Sequence, residues 1–84
     1  MNDTTLGLAK RLRAARLLAD LEQGAIADRI GVARTTVSNW ERGLSEPSAT
    51  HFVRWAKETR QPLEWFAEAV ALDVRPEGFE PPTY

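Results

Sequence analysis

Apolar residues recur at helical spacing along most of the chain, and no stretch alternates as a strand would. Leu8, Leu12, Ala15 and Ala19 share one face and predict a first helix over about 6–19. Ile26, Ala27 and Ile30 predict a short second helix over 23–30, stopped by Gly31, which accepts the left-handed conformation of a C-terminal cap. Val37 and Trp40 mark the inward face of a third helix over 34–42, with Gly43 at its end. Ser48 follows Pro47 as a cap for a fourth over 49–59, whose apolar stripe is Phe52, Trp55 and Ala56. Pro62 suits the first turn of a fifth over 62–72. The expected fold class is therefore all-α, a compact five-helix domain over 1–72. Beyond Asp73, three prolines and one glycine in eleven residues break any helix, so 73–84 is expected to be a flexible tail.

Eighty-four residues hold one core, and a chain of this size is only marginally able to offset its lost conformational entropy. No cysteine is present to form a disulfide or a thiolate metal site, so burial must come from large side chains. Trp40, Trp55, Phe52 and Phe66 sit at core spacing rather than as stacking platforms. In the fifth helix two stripes compete: Leu63, Phe66 and Val70 on one face, Trp65, Ala69 and Leu72 on another. If the first packs inward, the second is left as a dimer contact, and homodimer and monomer both stay open. No apolar run approaches the roughly 18 residues of a membrane span, and the first residues lack the pattern of a signal peptide. The expected location is the cytoplasm.

Charge changes the picture through its placement. The net charge is −1, yet residues 1–44 carry seven basic side chains against five acidic ones, +2, while 45–84 carry four against seven, −3. Six of the seven bases in the first half are arginine, which suits bidentate contact with phosphate or guanine. His51 is the single histidine and has no partner suggesting a metal or catalysis. No catalytic residue, metal site or cofactor is expected, and an enzyme is the weakest reading.

The informative stretch runs from Leu21 to Gly43, where two short helices flank a tight turn at Gly31-Val32-Ala33. Ala27, Val32 and Val37 are small or branched where those helices must approach closely. This is the pattern of a helix-turn-helix, whose second helix enters the DNA major groove while the first bridges the backbone. In detail, Leu21-x-Gln23-x-x-Ile26-Ala27-x-x-Ile30-Gly31-Val32, then Val37-Ser-Asn-Trp-Glu-Arg-Gly43, then Pro47-Ser48, resembles the phage-repressor (Cro/C1, or XRE) family of helix-turn-helix proteins. The resemblance covers residues 12 to about 67 and implies a lambda-repressor-like domain.

It also implies roles. Gln23 matches a phosphate clamp at the start of the second helix. Arg34, Thr35 and Asn39 match base-reading positions, with Arg34 suited to guanine and Asn39 to adenine. Thr36, Ser38, Arg42 and Arg13 match contacts to the DNA backbone. Lys10, Arg11 and Arg13 are as readily a solvated charged face. Arg16 and Glu41 match a structural ion pair. Double-stranded operator DNA is the implied partner, and no membrane or small-molecule ligand is implied. Five positions depart from the family pattern: Glu22 and Ala33 replace the usual Ser or Thr caps, Gly24 is unusual within a helix, and Arg60-Gln61 stands for a common Gly-Val. The alanine cap predicts a loosely started third helix in the absence of DNA.

The implied activity is transcriptional repression. Within that class, Gly78-Phe79-Glu80-Pro81 bears on the choice, because GGG-TTC-GAA-CCC would encode it and resembles the T-arm of a transfer-RNA gene, a common integration site of temperate phages. That reading points to a phage immunity repressor, against a plain proline-rich tail. The alternatives are the antitoxin of a toxin–antitoxin pair and a protein-interaction module that has lost DNA binding.

Overall fold

The computed structural model describes residues 3–67, with side chains from Gly7 onward. Its helices are α1 (Asp3–Leu18), α2 (Gln23–Ile30), α3 (Arg34–Glu41) and α4 (Ala49–Thr59), followed by a helical segment over 63–67, α5. The described residues are helical and contain no strand. Ala69, Leu72 and the expected tail 73–84 lie outside them, as does the remainder of the expected fifth helix.

Helices α2 and α4 start and stop where the apolar spacing places them. The first helix begins at Asp3, earlier than expected, because its opening residues carry no apolar periodicity to mark them. The third ends at Glu41, with Arg42 as its cap in a right-handed conformation and Gly43 at φ 76° beyond it. Gly31 takes φ 90° and ends α2, its N–H donating to the Ala27 carbonyl at 2.8 Å. Two non-glycine residues also take the left-handed conformation: Asp20 after α1 (φ 64°) and Arg60 as the cap of α4 (φ 61°). Arg60 thus supplies, with a Cβ, the geometry that glycine gives more cheaply.

One core joins the helices. Leu12 and Ala15 of α1, Ile26, Ala27 and Ile30 of α2, Val37 and Trp40 of α3, Trp55 and Ala56 of α4, and Phe66 of α5 are all buried. Trp55 is fully enclosed, and its indole N–H donates to the Leu12 carbonyl at 3.1 Å, so the largest core side chain buries no unpaired donor. Rings interlock around it: Trp40 meets Trp55 edge-on with centroids 5.9 Å apart, and Phe52 meets Phe66 at 5.4 Å. His51 lies against Trp40 at 5.6 Å, a packing role.

Of the two stripes expected in the fifth helix, Leu63, Trp65 and Phe66 lie among the described residues. Phe66 is buried, but Leu63 of the same stripe opens the segment at the surface and is 42% exposed. Trp65 is half-buried and packs on the core, edge-on to Phe66 at 5.1 Å. Above its ring lies the Arg11 guanidinium, 4.8 Å from the centroid, while Arg11 Nη1 donates to the Trp65 carbonyl at 3.0 Å. This pair ties α1 to α5 across the chain and gives Arg11 a structural task.

Candidate nucleic-acid interface

Helix α3 has two unlike faces. Val37 and Trp40 point into the core, and Glu41 is nearly enclosed. Residues 35, 38, 39 and 42 have the i, i+3, i+4, i+7 spacing of one surface stripe, with Arg34 flanking it. Thr35, Asn39, Arg42 and Arg34 are exposed, Ser38 within the stripe is half-buried, and so is Thr36 beside it. Among the described residues none forms a side-chain hydrogen bond or ion pair with Arg34, Asn39 or Arg42. Their donors and acceptors are unspent on an exposed helix face, which is the requirement for reading another molecule's polar edges.

What holds this helix in place lies at its other end. Arg16 Nε donates to Glu41 Oε2 at 2.6 Å and Arg16 Nη2 to Glu41 Oε1 at 3.0 Å, a bidentate pair with side chains 9% and 3% exposed. The remaining arm, Arg16 Nη1, donates to the Leu21 carbonyl at 2.8 Å. Gln23 joins as well, its Nε2 donating to Glu41 Oε1 at 3.1 Å. One buried carboxylate therefore fixes the end of α1, the first residue of α2 and the end of α3 together. The ion pair follows the resemblance; the link from Gln23 to it does not, since no sequence spacing announces a contact over eighteen positions.

The amino ends of α2 and α3 share a second feature. Neither has a side-chain cap: Glu22 makes no capping bond and Ala33 has no group to make one. Neither carries an acid in its first turn. By contrast α4 is capped, with Ser48 Oγ accepting from the His51 N–H at 3.3 Å. The first-turn N–H groups of α2 and α3 thus carry no side-chain cap, an arrangement open to an external anion. Gly24, in the first turn of α2, lies beside Arg34 in the first turn of α3, bringing the two ends together.

Other basic residues divide by task. Lys10 and Arg13 of α1 are exposed. Arg29 pairs with Glu58 at 3.5 Å, and Arg54 Nη2 donates to the Arg29 carbonyl at 2.8 Å, so these serve the α2–α4 contact. Among the described residues no group of three His, Cys, Asp or Glu side chains could hold a metal ion, and no helix is long and apolar enough to cross a membrane.

Comparison with known proteins converges on this segment. The family described as Helix-turn-helix matches residues 12–66, which contain α2, the turn, α3 and most of the core. The chain is also 31% identical over 78 residues to a protein of Rhodospirillum rubrum named "Uncharacterized transcriptional regulator in ATPase CF(0) region". That similarity covers 92% of this chain and 72% of the relative.

Proposed function

The chain belongs to the helix-turn-helix family, and from that premise we propose that it regulates transcription by binding double-stranded DNA at specific sequences, with α3 in the major groove. The observation that carries this reading is the polar face of α3, exposed and unspent on a helix whose opposite face is locked into the core. The name of the Rhodospirillum rubrum relative supports the regulatory part.

In this reading Arg34, Thr35 and Asn39 reach base edges. Arg34 forms a bidentate bond to guanine and Asn39 to adenine, each discriminating by roughly 1–3 kcal/mol. Thr36, Ser38, Arg42 and Arg13 meet phosphates, which set register and orientation. Gln23 meets a phosphate through the amide N–H that Glu41 does not use, beside the uncapped end of α2. The bound phosphate then meets first-turn N–H groups that no side chain caps.

The regulator acts as a repressor by occupying an operator and excluding polymerase. The peptide Gly78-Phe79-Glu80-Pro81 favours a phage immunity repressor among such proteins. Pairing through Trp65, Ala69 and Leu72 is the dimer reading; of these Trp65 has one ring face covered by Arg11.

Selection of bound sequences from a random duplex library, with affinities at two salt concentrations, tests the proposal. An enriched motif supports it, and a palindrome in that motif indicates a dimer. Weak, strongly salt-sensitive binding without enrichment refutes it, leaving non-specific attraction.

A further inference from the structure

Gly24 is an unexpected residue in the first turn of an eight-residue helix. Glycine there costs about 1 kcal/mol in helix propensity relative to alanine, and α2 is too short to ignore that. Nothing in the backbone requires it, since Gly24 is not among the positive-φ residues. Close packing against the core does not require it either, because a Cβ at this position would meet a single atom within 4 Å, Cδ of Arg34, at 4.0 Å. Among the described residues beyond its own turn of helix, the missing side chain adjoins the aliphatic stem of the arginine that opens α3.

We propose that position 24 is a specificity-determining positioning site: the absence of any side-chain atom beyond Cβ leaves room for the Arg34 stem along the first turn of α2, and this aims the guanidinium at its base pair. The inference rests on the reading of Arg34 as a base contact. Arg34 is exposed and makes no ion pair or side-chain hydrogen bond among the described residues. The approach of its stem to position 24 is therefore the contact left to orient it in this reading. A Cβ at 24 would only touch that stem, whereas a Cγ and beyond would compete with it for the same space. A carboxylate at 24 would do more, capturing the guanidinium and placing a negative charge where a phosphate is to bind.

Three predictions separate this role from a merely structural one. Gly24→Ala fills the contact without crowding and should keep the base preference while raising thermal stability. Gly24→Leu should fold, being a good helix former at a half-buried site, and should lose about 10-fold in discrimination at one base pair, the scale of one bidentate contact. Gly24→Glu should cause the same loss there and weaken binding to all sequences, although an acid in the first turn favours the helix.

The experiment is a base-preference profile, measured by binding competition on operator variants for wild type, Gly24→Ala, Gly24→Leu, Gly24→Glu and Arg34→Ala, each with a melting curve. Should Gly24→Leu fail to fold, Gly24→Gln provides the crowding instead. Loss at the same base pair in Arg34→Ala and in the crowded variants is the expected result. If Arg34→Ala loses preference at one pair while the crowded variants keep it, the role of Gly24 is overturned and the base contact survives. If Arg34→Ala loses no preference anywhere, the base contact itself is wrong and the role of Gly24 falls with it. A loss in Gly24→Ala as large as in Gly24→Leu would also overturn the proposal, since mere contact cannot crowd.

Discussion

Gln23 donates its side-chain amide to Glu41 at 3.1 Å, and through this bond the residue assigned to a phosphate is joined to a buried ion pair between α1 and α3. The bond spends one N–H of the amide and leaves the other N–H and the side-chain oxygen unspent. A flexible glutamine at a helix start would lose rotamer freedom on meeting DNA; here part of that cost is met in folding. Gln23→Ala should accordingly weaken binding to all sequences by a similar factor while leaving base preferences unchanged, measured as affinities for a matched and a mismatched duplex. A change in preference at one base pair would show instead that Gln23 reads sequence.

The ion pair itself makes a prediction about stability. Arg16 and Glu41 are nearly enclosed and hold two hydrogen bonds to each other, so either one alone would be a stranded charge. Glu41→Ala or Arg16→Ala should destabilise the fold by about 3–5 kcal/mol in urea unfolding. Replacing both with apolar residues of similar volume, as in Arg16→Met with Glu41→Leu, should recover much of that loss. It should not recover DNA affinity in full, because Gln23 loses its anchor in the double variant as well.

Arginines on the interface should be distinguishable by what their loss changes. Arg34→Ala should relax preference at one base pair by about 1–3 kcal/mol. Arg42→Ala should weaken binding across sequences and lower the slope of log affinity against log salt by about 1, as expected for one phosphate contact. A slope unchanged in Arg42→Ala would remove it from the DNA backbone.

Sequence and structure agree best where a residue's local geometry leaves a mark in its identity. Gly31 and Gly43 stand at positive φ, Ser48 caps α4, and the apolar spacing of Ile26, Ala27, Ile30, Val37 and Trp40 gives the buried side of both short helices. The exposed face of α3 follows by elimination, so most of the candidate site is legible without coordinates. Less legible are contacts between residues far apart in the chain. Arg11 over Trp65 spans 54 positions, and periodicity offers Trp65 as an open stripe while the structure covers one face of its ring with a cation. Arg60 is a second case, of a local kind. Its departure from glycine suggests a different turn, yet the backbone there is left-handed as glycine's would be, and the cost is carried as strain at φ 61°.

That strain can be relieved. Arg60→Gly keeps the left-handed cap of α4 and removes the clash of Cβ with the backbone, a gain of roughly 1 kcal/mol. The gain is partly offset by the greater freedom of glycine in the unfolded chain. The Arg60 side chain is exposed and contributes no hydrogen bond or ion pair among the described residues, so little is lost with it. A rise in melting temperature with unchanged DNA affinity is the expected outcome of a thermal scan and a binding titration on the same variant. A fall in affinity would instead assign Arg60 a contact with a partner and make its strained conformation part of that contact.

The uncapped start of α3 separates folding from binding in one residue. Ala33 occupies the cap position with extended φ and ψ of −74° and 151°, the conformation a serine would need, but it offers no oxygen. Ala33→Ser should therefore supply the missing bond to the first turn and stabilise the fold by about 1 kcal/mol. Ser48→Ala, at the capped start of α4, should cost a similar amount and serves as the calibration. The effect on DNA is the more informative half. If α3 is loosely started when free and ordered by DNA, pre-forming its first turn in Ala33→Ser removes an ordering cost and should tighten binding while leaving base preferences unchanged. If the N–H groups at that end instead bind a phosphate directly, the serine oxygen competes for them and affinity should fall. Affinity measured beside amide hydrogen exchange in the first turn of α3 decides between the two. Slower exchange with tighter binding means that the alanine keeps the recognition helix frayed until it meets DNA.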